Sequence, residues 1–227
     1  MINRLRITVV MLICCLIISV GCSGKKKSTS EFVKSPTYPV SCIGILPAVS
    51  GVDLDGIVSP EQKKALRKGT SVMNGHLRQE LAGQENVTFV TADHLTGLQM
   101  SGGESSLEFA RLIGKSIGCN AILEITVWRY FDRIGGKFTA EAPASVAFDS
   151  RLIGIDQSAV IWSAKFDEVQ VSVLENIYEW KKANTRGFIW ITAEELMLEG
   201  LKEKLNNSPY FRKKAIPVDS SRYDERI

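Results

Sequence analysis

The sequence is poor in the residues and motifs that most enzymes use. It contains two histidines among its 227 residues, His76 and His94, and neither lies near a cysteine in the sequence. It also lacks the H-E-x-x-H, G-x-S-x-G and G-x-x-x-x-G-K-S/T motifs of metalloproteases, serine hydrolases and phosphate-binding loops. We therefore expect no catalytic residue, no enzyme activity and no cofactor, with both histidines exposed or hydrogen-bonded.

Candidate metal ligands are also scarce. Asp53 and Asp55, followed by Gly56, are similar to the start of a calcium-binding loop, but the third ligand and the closing glutamate are missing. Glu124 stands inside an apolar segment, where an acidic side chain either has a function, or points to the polar face or meets a lysine. We expect no metal site, and for Glu124 we favour the polar face or a lysine partner over a function.

The chain has no strong excess of charge of either sign. Its 28 basic and 25 acidic residues give a formal net charge of +3. The excess of basic residues lies in the first 39 and the last 18 residues, so residues 40–209 carry a net negative charge. A globular body of that sign does not suit a nucleic acid, and we expect no nucleic-acid partner.

Long apolar runs are absent except at the start of the chain. Residues 7–20 are apolar apart from Thr8 and Ser19, and two arginines precede them. This run is shorter than the about 20 apolar residues of a membrane-spanning helix, and it has the length of a signal-peptide core. The sequence therefore predicts an export signal over residues 1–21.

The end of this run, S-V-G-C closing at Cys22, resembles the lipobox of bacterial lipoproteins. The resemblance implies that the signal is cleaved before Cys22 and that Cys22 then carries acyl chains such as palmitate. Two or more acyl chains anchor a protein stably, and the lysines at 25–27 add attraction to anionic headgroups. Ser23 resembles the residue after the cysteine in lipoproteins of the outer membrane. We expect an outer-membrane anchor facing the periplasm, with the inner membrane left open.

Composition divides the rest of the exported chain into three parts. Residues 22–39 are rich in Ser, Thr, Lys and Pro and predict a lipidated flexible tether. Residues 40–209 are long enough for a single domain with its own core. The charged residues 210–227, which follow Pro209, predict a flexible tail.

Two cysteines of the body raise the question of a disulfide. Cys42 and Cys119 each stand just before an apolar segment that predicts a strand. If those strands are parallel neighbours, both cysteines lie at the same edge of the sheet. Exported proteins meet oxidising conditions. The sequence leaves two possibilities open, a Cys42–Cys119 disulfide or two buried thiols.

The pattern of apolar residues predicts the element order β-α-β-α-β-β-β-α-α, with the third of its four helices over residues 172–183. Two β-α crossovers imply parallel strands, and a later hairpin implies antiparallel ones. We therefore predict an α/β fold, at the border with α+β, with helices packed on a mixed sheet of about five strands. Capping boxes at Ser59 with Gln62, at Ser105 with Glu108 and at Thr192 with Glu195 are predicted to begin three helices.

The hairpin around residues 156–158 is patterned strongly enough to predict its register. A register is favoured when apolar residues pair on one face and opposite charges pair on the other. The pairs that satisfy this condition are Phe148–Phe166, Leu152–Trp162 and Asp149–Lys165. Gly135-Gly136, earlier in the chain, predicts a tight turn.

Three segments of the body, GCNAILEITVWRY, SVAFDSRLI and AVIWSAKFDE, carry a second resemblance. With the element order, they resemble the α/β domain of several envelope proteins. These are the curli secretion channel lipoprotein, the lipoprotein activators of penicillin-binding proteins and the N-terminal domain of the Tol-Pal protein TolB. The similarity is greatest to a family of Gram-negative periplasmic lipoproteins of unassigned function, and it covers residues 40–207.

The two resemblances imply a membrane-anchored periplasmic lipoprotein that acts without catalysis, as a protein-binding or assembly module of the cell envelope. They also leave two alternatives, an oligomeric subunit of an outer-membrane export channel and an activator of a cell-wall synthase. Trp180 and Trp190 either mark a partner surface or pack the last helices. The envelope partner, the biological process and the oligomeric state are left open.

Overall fold

The computed structural model describes residues 38–51, 59–96, 105–170 and 189–211. The predicted signal peptide, most of the predicted tether and the tail beyond Phe211 lie outside these residues. Asp53 and Asp55 also lie outside them, as does the helix predicted over residues 172–183.

Eight strands are found in this part of the chain. In chain order they are β1 (Ile43–Ile45), β2 (Val49–Ser50), β3 (Val87–Phe89), β4 (Ala121–Phe131), β5 (Ile134–Gly135), β6 (Ala140–Ala142), β7 (Ser145–Gly154) and β8 (Ala159–Val169). Six of them form one sheet in the order β3-β1-β4-β7-β8, with β2 also beside β4, and β5 and β6 form a separate hairpin. β1 is parallel to both of its neighbours, β3 and β4, whereas β7 is antiparallel to both of its neighbours, β4 and β8. The predicted mixed sheet is confirmed, with the short β2 as the sixth strand.

Four helices accompany the sheet in the described residues: α1 (Pro60–Glu80), α2 (Ala92–Thr96), α3 (Ser106–Ile117) and α4 (Ala193–Asn207). The predicted N-caps of the three longer helices are present at Ser59, Ser105 and Thr192. The full capping box forms at α1 and α4, while at α3 only the Ser105 side chain caps the helix. Gly118 follows α3 with a φ of 71°, a left-handed conformation that glycine adopts without strain.

The helices cover the two faces of the sheet unequally. On one face, α1 and α4 pack over a large core that contains Leu123 and Phe148. On the other face, α3 covers a smaller cluster around Ile122 and Ile153. No helix of the described residues packs over the rest of this second face, which is formed by the end of β4, the start of β7 and the end of β8. The sheet therefore presents a polar and aromatic surface at one end of its second face.

The predicted register of the β7–β8 hairpin is confirmed in all three pairs. Phe148 lies opposite Phe166, and their rings stack with centroids 5.2 Å apart. The pairs Leu152–Trp162 and Asp149–Lys165 are also as predicted. A bulge follows at Leu152/Ile153, where β8 carries one extra residue.

The turn at Gly135 is wider than predicted. Residues 136–139 join β5 to β6, and the Gly136 N–H donates to the carbonyl of Thr139 at 3.1 Å. Gly135 has a φ of 99°, and a Cβ there would come within 2.6 Å of the Thr139 oxygen. Glycine is required at this position because both the backbone conformation and the space exclude a side chain.

The packed body extends past Pro209. Phe211 is buried and contacts Trp162 edge-on, with ring centroids 6.0 Å apart. The predicted start of the tail at residue 210 is therefore wrong, because burying the aromatic ring of Phe211 keeps this part of the chain on the core. Trp162, predicted to pair with Leu152 on the apolar face of the hairpin, is half-buried at this contact.

Gln170 forms hydrogen bonds that join the end of β8 to the residues that follow position 188. Its backbone N–H donates to Ala144, directly after β8 ends. Its buried side chain donates from Nε2 to the carbonyl of Ile189 and accepts from the N–H of Ile191, each at 3.0 Å. Residues 170 and 189 are thereby held together.

His76 differs from the expectation for it. The residue is buried in α1 beside Met73 and Leu77, and its Nε2 has no hydrogen-bond partner among the described residues. The prediction of an exposed or hydrogen-bonded histidine is wrong here, because His76 lies on the inner face of α1. A buried polar atom without a partner costs stability.

The side chain of Tyr130, a residue of β4, is buried beneath α1. A Cβ on Gly69 would come within 2.7 Å of the Tyr130 Cβ, so glycine at this position allows the close approach of helix and strand. The Tyr130 hydroxyl is buried without a partner among the described residues. Burial, followed by the negative charges of Asp132 and Glu194, raises the pKa of Tyr130 to about 12.

We predict that Tyr130 weakens the fold in alkali. The phenol of the unfolded chain loses its proton near pH 10, whereas the folded chain keeps it until about pH 12. The free energy of unfolding therefore falls as the pH rises through this window, by about 2–3 kcal/mol in total. In urea unfolding followed across this range, Tyr130→Phe should lose this part of the decline and Tyr38→Phe, at an exposed tyrosine, should keep it. An equal decline in both variants would contradict the assignment.

Candidate functional site

The uncovered part of the second sheet face is the candidate site, and we call it the open face. It consists of Glu124, Thr126, Trp128, Arg129 and Phe131 on β4, Ala147, Asp149 and Arg151 on β7, and Ser163, Lys165, Asp167 and Val169 on β8. Alternation along each strand, together with one bulge in β4, puts these side chains on one face, and the register aligns them in rows across three strands.

A β-bulge in β4 at Trp128 brings Arg129 and Phe131 onto the open face beside it. Val127 pairs with Phe148 and Arg129 pairs with Ala147, so that Trp128 is the extra residue between them. A bulge adds one residue to a strand and redirects its side chains. Without it, regular alternation would leave Trp128 on the open face but place Arg129 and Phe131 on the core side.

The Trp128 side chain is fixed in place and accessible. Its ring lies against Gly51, where a Cβ would come within 2.1 Å of a ring carbon. Its indole N–H donates to Asp149 Oδ2 at 2.9 Å. The side chain is nevertheless 42% exposed. A large aromatic ring that is already ordered loses little conformational entropy when a partner covers it.

Asp149 has an unused acceptor next to Trp128. Its Oδ1 is buried and accepts no hydrogen bond from the described residues. Lys165 lies opposite in the register, yet within the described chain no ion pair joins the two side chains. A buried acceptor without a donor costs about 1–3 kcal/mol of stability.

The charged residues of the open face are mostly paired with one another. Arg129 forms an ion pair with Asp167. Arg151 forms another with Glu124, at 2.8 Å. Ser106, at the start of α3, donates to both oxygens of Glu124 at 2.9 Å. Because both signs alternate and pair, the face offers no concentrated charge to a polyanion or a polycation.

Glu124, which the sequence singled out, therefore has a basic partner. The side chain lies on the polar face of β4 as favoured, although the partner is Arg151 rather than a lysine. Its interactions with Ser106 and Arg151 tie the start of α3 to the middle of the sheet. We take Glu124 as a structural residue at the rim of the open face.

Apolar side chains lie at one end of the open face. Phe131 and Val169 lie on either side of Ser145 in the same cross-strand row. They are 42% and 47% exposed, respectively. Val49 on β2, beside Thr126, is also exposed. Exposed aromatic and aliphatic groups next to paired charges are typical of protein–protein interfaces.

Trp190, a predicted partner-surface residue, lies elsewhere. Its N–H donates to the carbonyl of Lys137 at 2.8 Å, and its own carbonyl accepts from the Arg133 guanidinium. These contacts join the segment before α4 to the β5–β6 hairpin, and the Trp190 side chain is half-buried there. Trp180 lies outside the described residues. A partner surface at these two tryptophans stays a prediction.

Cys42 and Cys119 lie together where β1 and β4 begin. Their Cα atoms are 4.6 Å apart and the structure joins them as a pair, so the separation suits a disulfide. Asn120 binds the same segment, accepting from the N–H groups of Ser41 and Cys42 and donating to Pro39. The predicted parallel arrangement of these strands is what brings the cysteines together.

The described residues offer little for catalysis or metal binding. His94 is exposed and accepts at Nδ1 from the N–H of Thr91 at 3.2 Å, as expected for a hydrogen-bonded histidine. No three His, Cys, Asp or Glu side chains of the described chain are grouped as a metal ion requires. Of the helices in that part, none combines the length and the apolar character needed to cross a membrane.

The chain matches no protein-family model and no curated protein sequence. Solved structures do resemble it. The PelC dodecamer from Paraburkholderia phytofirmans has a TM-score of 0.43 and 15% identity, covering 80% of this chain and 96% of that one. The LpoB C-terminal domain from Salmonella enterica has a TM-score of 0.35 and 13% identity, covering 62% and 92%.

Lipoprotein GNA1162 from Neisseria meningitidis is similar at the same level. Its TM-score is 0.35 at 15% identity, and the similarity covers 64% of this chain and 95% of that one. The predicted resemblance to α/β domains of lipoproteins is thus confirmed as a similarity. Nothing about binding or assembly follows from scores this low, so we take function from this chain's own residues.

Proposed function

We propose that this protein is a periplasmic lipoprotein, anchored to the outer membrane through Cys22, that binds an envelope protein through the open face without catalysis. Residues 1–21 are its signal peptide, and residues 22–39 are the tether that leads to the folded body. The observation that carries the proposal is Trp128, which is ordered by Gly51 and Asp149 yet accessible.

The composition of the open face favours a protein over other partners. A nucleic acid would require concentrated positive charge, whereas here Arg129 and Arg151 are each paired with an acidic residue. A protein surface can make apolar contacts with the exposed side chains of Trp128 and Phe131 and polar contacts with the charged groups around them. Residues of this kind, a rigid tryptophan beside buried polar groups, dominate the energy of protein interfaces.

The proposal is tested in cells by photo-crosslinking at the open face. The full-length lipoprotein carries benzoylphenylalanine in place of Phe131, and the same probe in place of Phe138 serves as the control. Phe138 is 74% exposed on the β5–β6 hairpin, outside the open face. The expected result is one adduct at position 131, with an envelope protein identified by mass spectrometry, that position 138 does not give. A cell-wall synthase and export-channel components would be distinguished by the protein captured.

The dependence on Trp128 decides whether such an adduct reports the proposed site. Trp128→Ala in the probe-bearing chain should reduce the yield at position 131 about tenfold or more, as expected for loss of a central aromatic contact. Lys63→Glu, an exposed position on α1, should leave the yield unchanged. An adduct equally strong in the Trp128→Ala chain, or no adduct at all, would overturn the proposal.

A further inference from the structure

The edge of the sheet at β8 suggests a second interaction, independent of the proposed function. β8 is the last strand in the order β3-β1-β4-β7-β8, and it is 11 residues long. Among the described residues no strand pairs with its outer side. Natural proteins keep free edges short or block them, because an exposed row of backbone donors and acceptors pairs readily with another strand.

The hydrogen bond that ends β8 shows which of its backbone groups point outward. The N–H of Gln170 donates to the carbonyl of Ala144 in the line of β7. In an antiparallel pair, hydrogen-bonded positions alternate with positions whose N–H and C=O point away. The register is regular from Ser145 to Leu152. The outward-pointing positions of β8 are therefore Ser163, Lys165, Asp167 and Val169.

The side chains at these outward positions can pair favourably with those of the same strand in a second copy of the chain. In an antiparallel pair of two copies related by a twofold axis, residues at equal distances on either side of the centre face each other. A centre at Phe166 places Lys165 opposite Asp167 of the second copy, and Asp167 opposite Lys165. A centre at Lys165 or Asp167 would instead put two like charges together. The centre at Phe166 thus gives two opposite-charge pairs and no like-charge pair.

We propose that two copies of this chain associate through β8, with antiparallel pairing centred on Phe166. The two sheets then form one continuous sheet across the dimer. Lys165, Asp167 and Ser163 lie on the open face, so the open faces of the two copies join on the same side. The pairing uses backbone groups that the fold leaves outward and charges that are exposed in the single chain.

The test uses charge reversal in the full-length protein, purified in detergent, with mass measured by light scattering. The unmodified chain should be a dimer. Lys165→Glu places two acidic residues opposite each other at both pairs, and Asp167→Lys places two lysines there. Each variant alone should associate about tenfold or more weakly. Lys63→Glu, the same change of charge on exposed α1, should leave the dimer intact.

Mixing the two variants makes the test specific. In a mixed dimer, Glu at position 165 faces Lys at position 167, and Asp167 faces Lys165, so the mixture should form heterodimers. Within each chain the changes disturb Asp149 opposite Lys165 and the ion pair of Arg129 with Asp167. Mixing does not repair those contacts, so recovery reports pairing between chains. A monomeric unmodified protein, a dimer unaffected by either reversal, or a mixture that stays monomeric would overturn the proposal.

Discussion

Replacing Cys22 with Ser should remove the lipid and release the protein from the membrane. The hydroxyl cannot be acylated through the thioether pathway that the resemblance to lipoproteins implies, and each lost acyl CH₂ removes about 0.8 kcal/mol of membrane affinity. Incorporation of radiolabelled palmitate should fall to background. After lysis and ultracentrifugation, the protein should move from the membrane pellet to the supernatant.

Two controls make this result decisive. Cys42→Ser changes a cysteine of the folded body and should retain both the label and the sedimentation. An uncleaved leader could itself hold the chain at the membrane, so Cys22→Ser is also expressed behind the cleavable leader of a soluble periplasmic protein. Full palmitate incorporation in Cys22→Ser would refute the anchor, as would unchanged sedimentation behind the cleavable leader.

Removing the Cys42–Cys119 pair should cost about 3–5 kcal/mol of the free energy of unfolding. The expected loss is large because the two residues are 77 positions apart, so the crosslink closes a long loop in the unfolded chain. Cys42→Ser/Cys119→Ser, measured by urea unfolding under oxidising conditions, should have its midpoint lowered accordingly. Reduction of the unmodified protein should produce a loss of similar size.

The alternative of two buried thiols gives a different outcome. In that case alkylation of the unfolded, unreduced protein labels both Cys42 and Cys119, and a reducing agent leaves the unfolding midpoint unchanged. For a disulfide, the two residues take up label only after reduction. Mass spectrometry of peptides that contain each cysteine distinguishes the two states, and label on both without reduction would contradict the disulfide.

Much of the fold follows from short-range patterns in the sequence. The register of the β7–β8 hairpin is predictable because a single alignment pairs Phe148 with Phe166 and also Asp149 with Lys165. The helix starts are predictable because Ser59 and Thr192 satisfy backbone donors within their own first turn. In both cases the determining contacts are local or follow from alternation along one strand.

The open face is harder to predict from the sequence because its side chains are arranged by a β-bulge that depends on contacts between distant parts of the chain. Trp128 stands in a segment that reads as one regular strand, and nothing within that segment marks the bulge. The bulge is defined by the register against β7, and the ring rests against Gly51, which belongs to a distant part of the chain. The only local signal is a tryptophan in a polar position of the alternation.

His76 and Phe211 are mispredicted for a related reason. The stripe of apolar residues in α1 marks its inner face, yet His76 shares that face because packing outweighs the cost of one polar atom. Phe211 follows Pro209 in a charged segment, and its burial depends on Trp162, almost fifty residues earlier in the chain. Tertiary contacts of this kind override composition.

The hydrogen bonds of Gln170 have a consequence for how the sequence of this protein can vary in evolution. Gln170 is hydrogen-bonded directly to Ile189 and Ile191, so contacts that do not involve residues 171–188 hold the end of β8 to the segment before α4. Substitutions within residues 171–188 leave these contacts in place, and evolution can therefore vary that stretch while the junction of β8 and α4 is conserved.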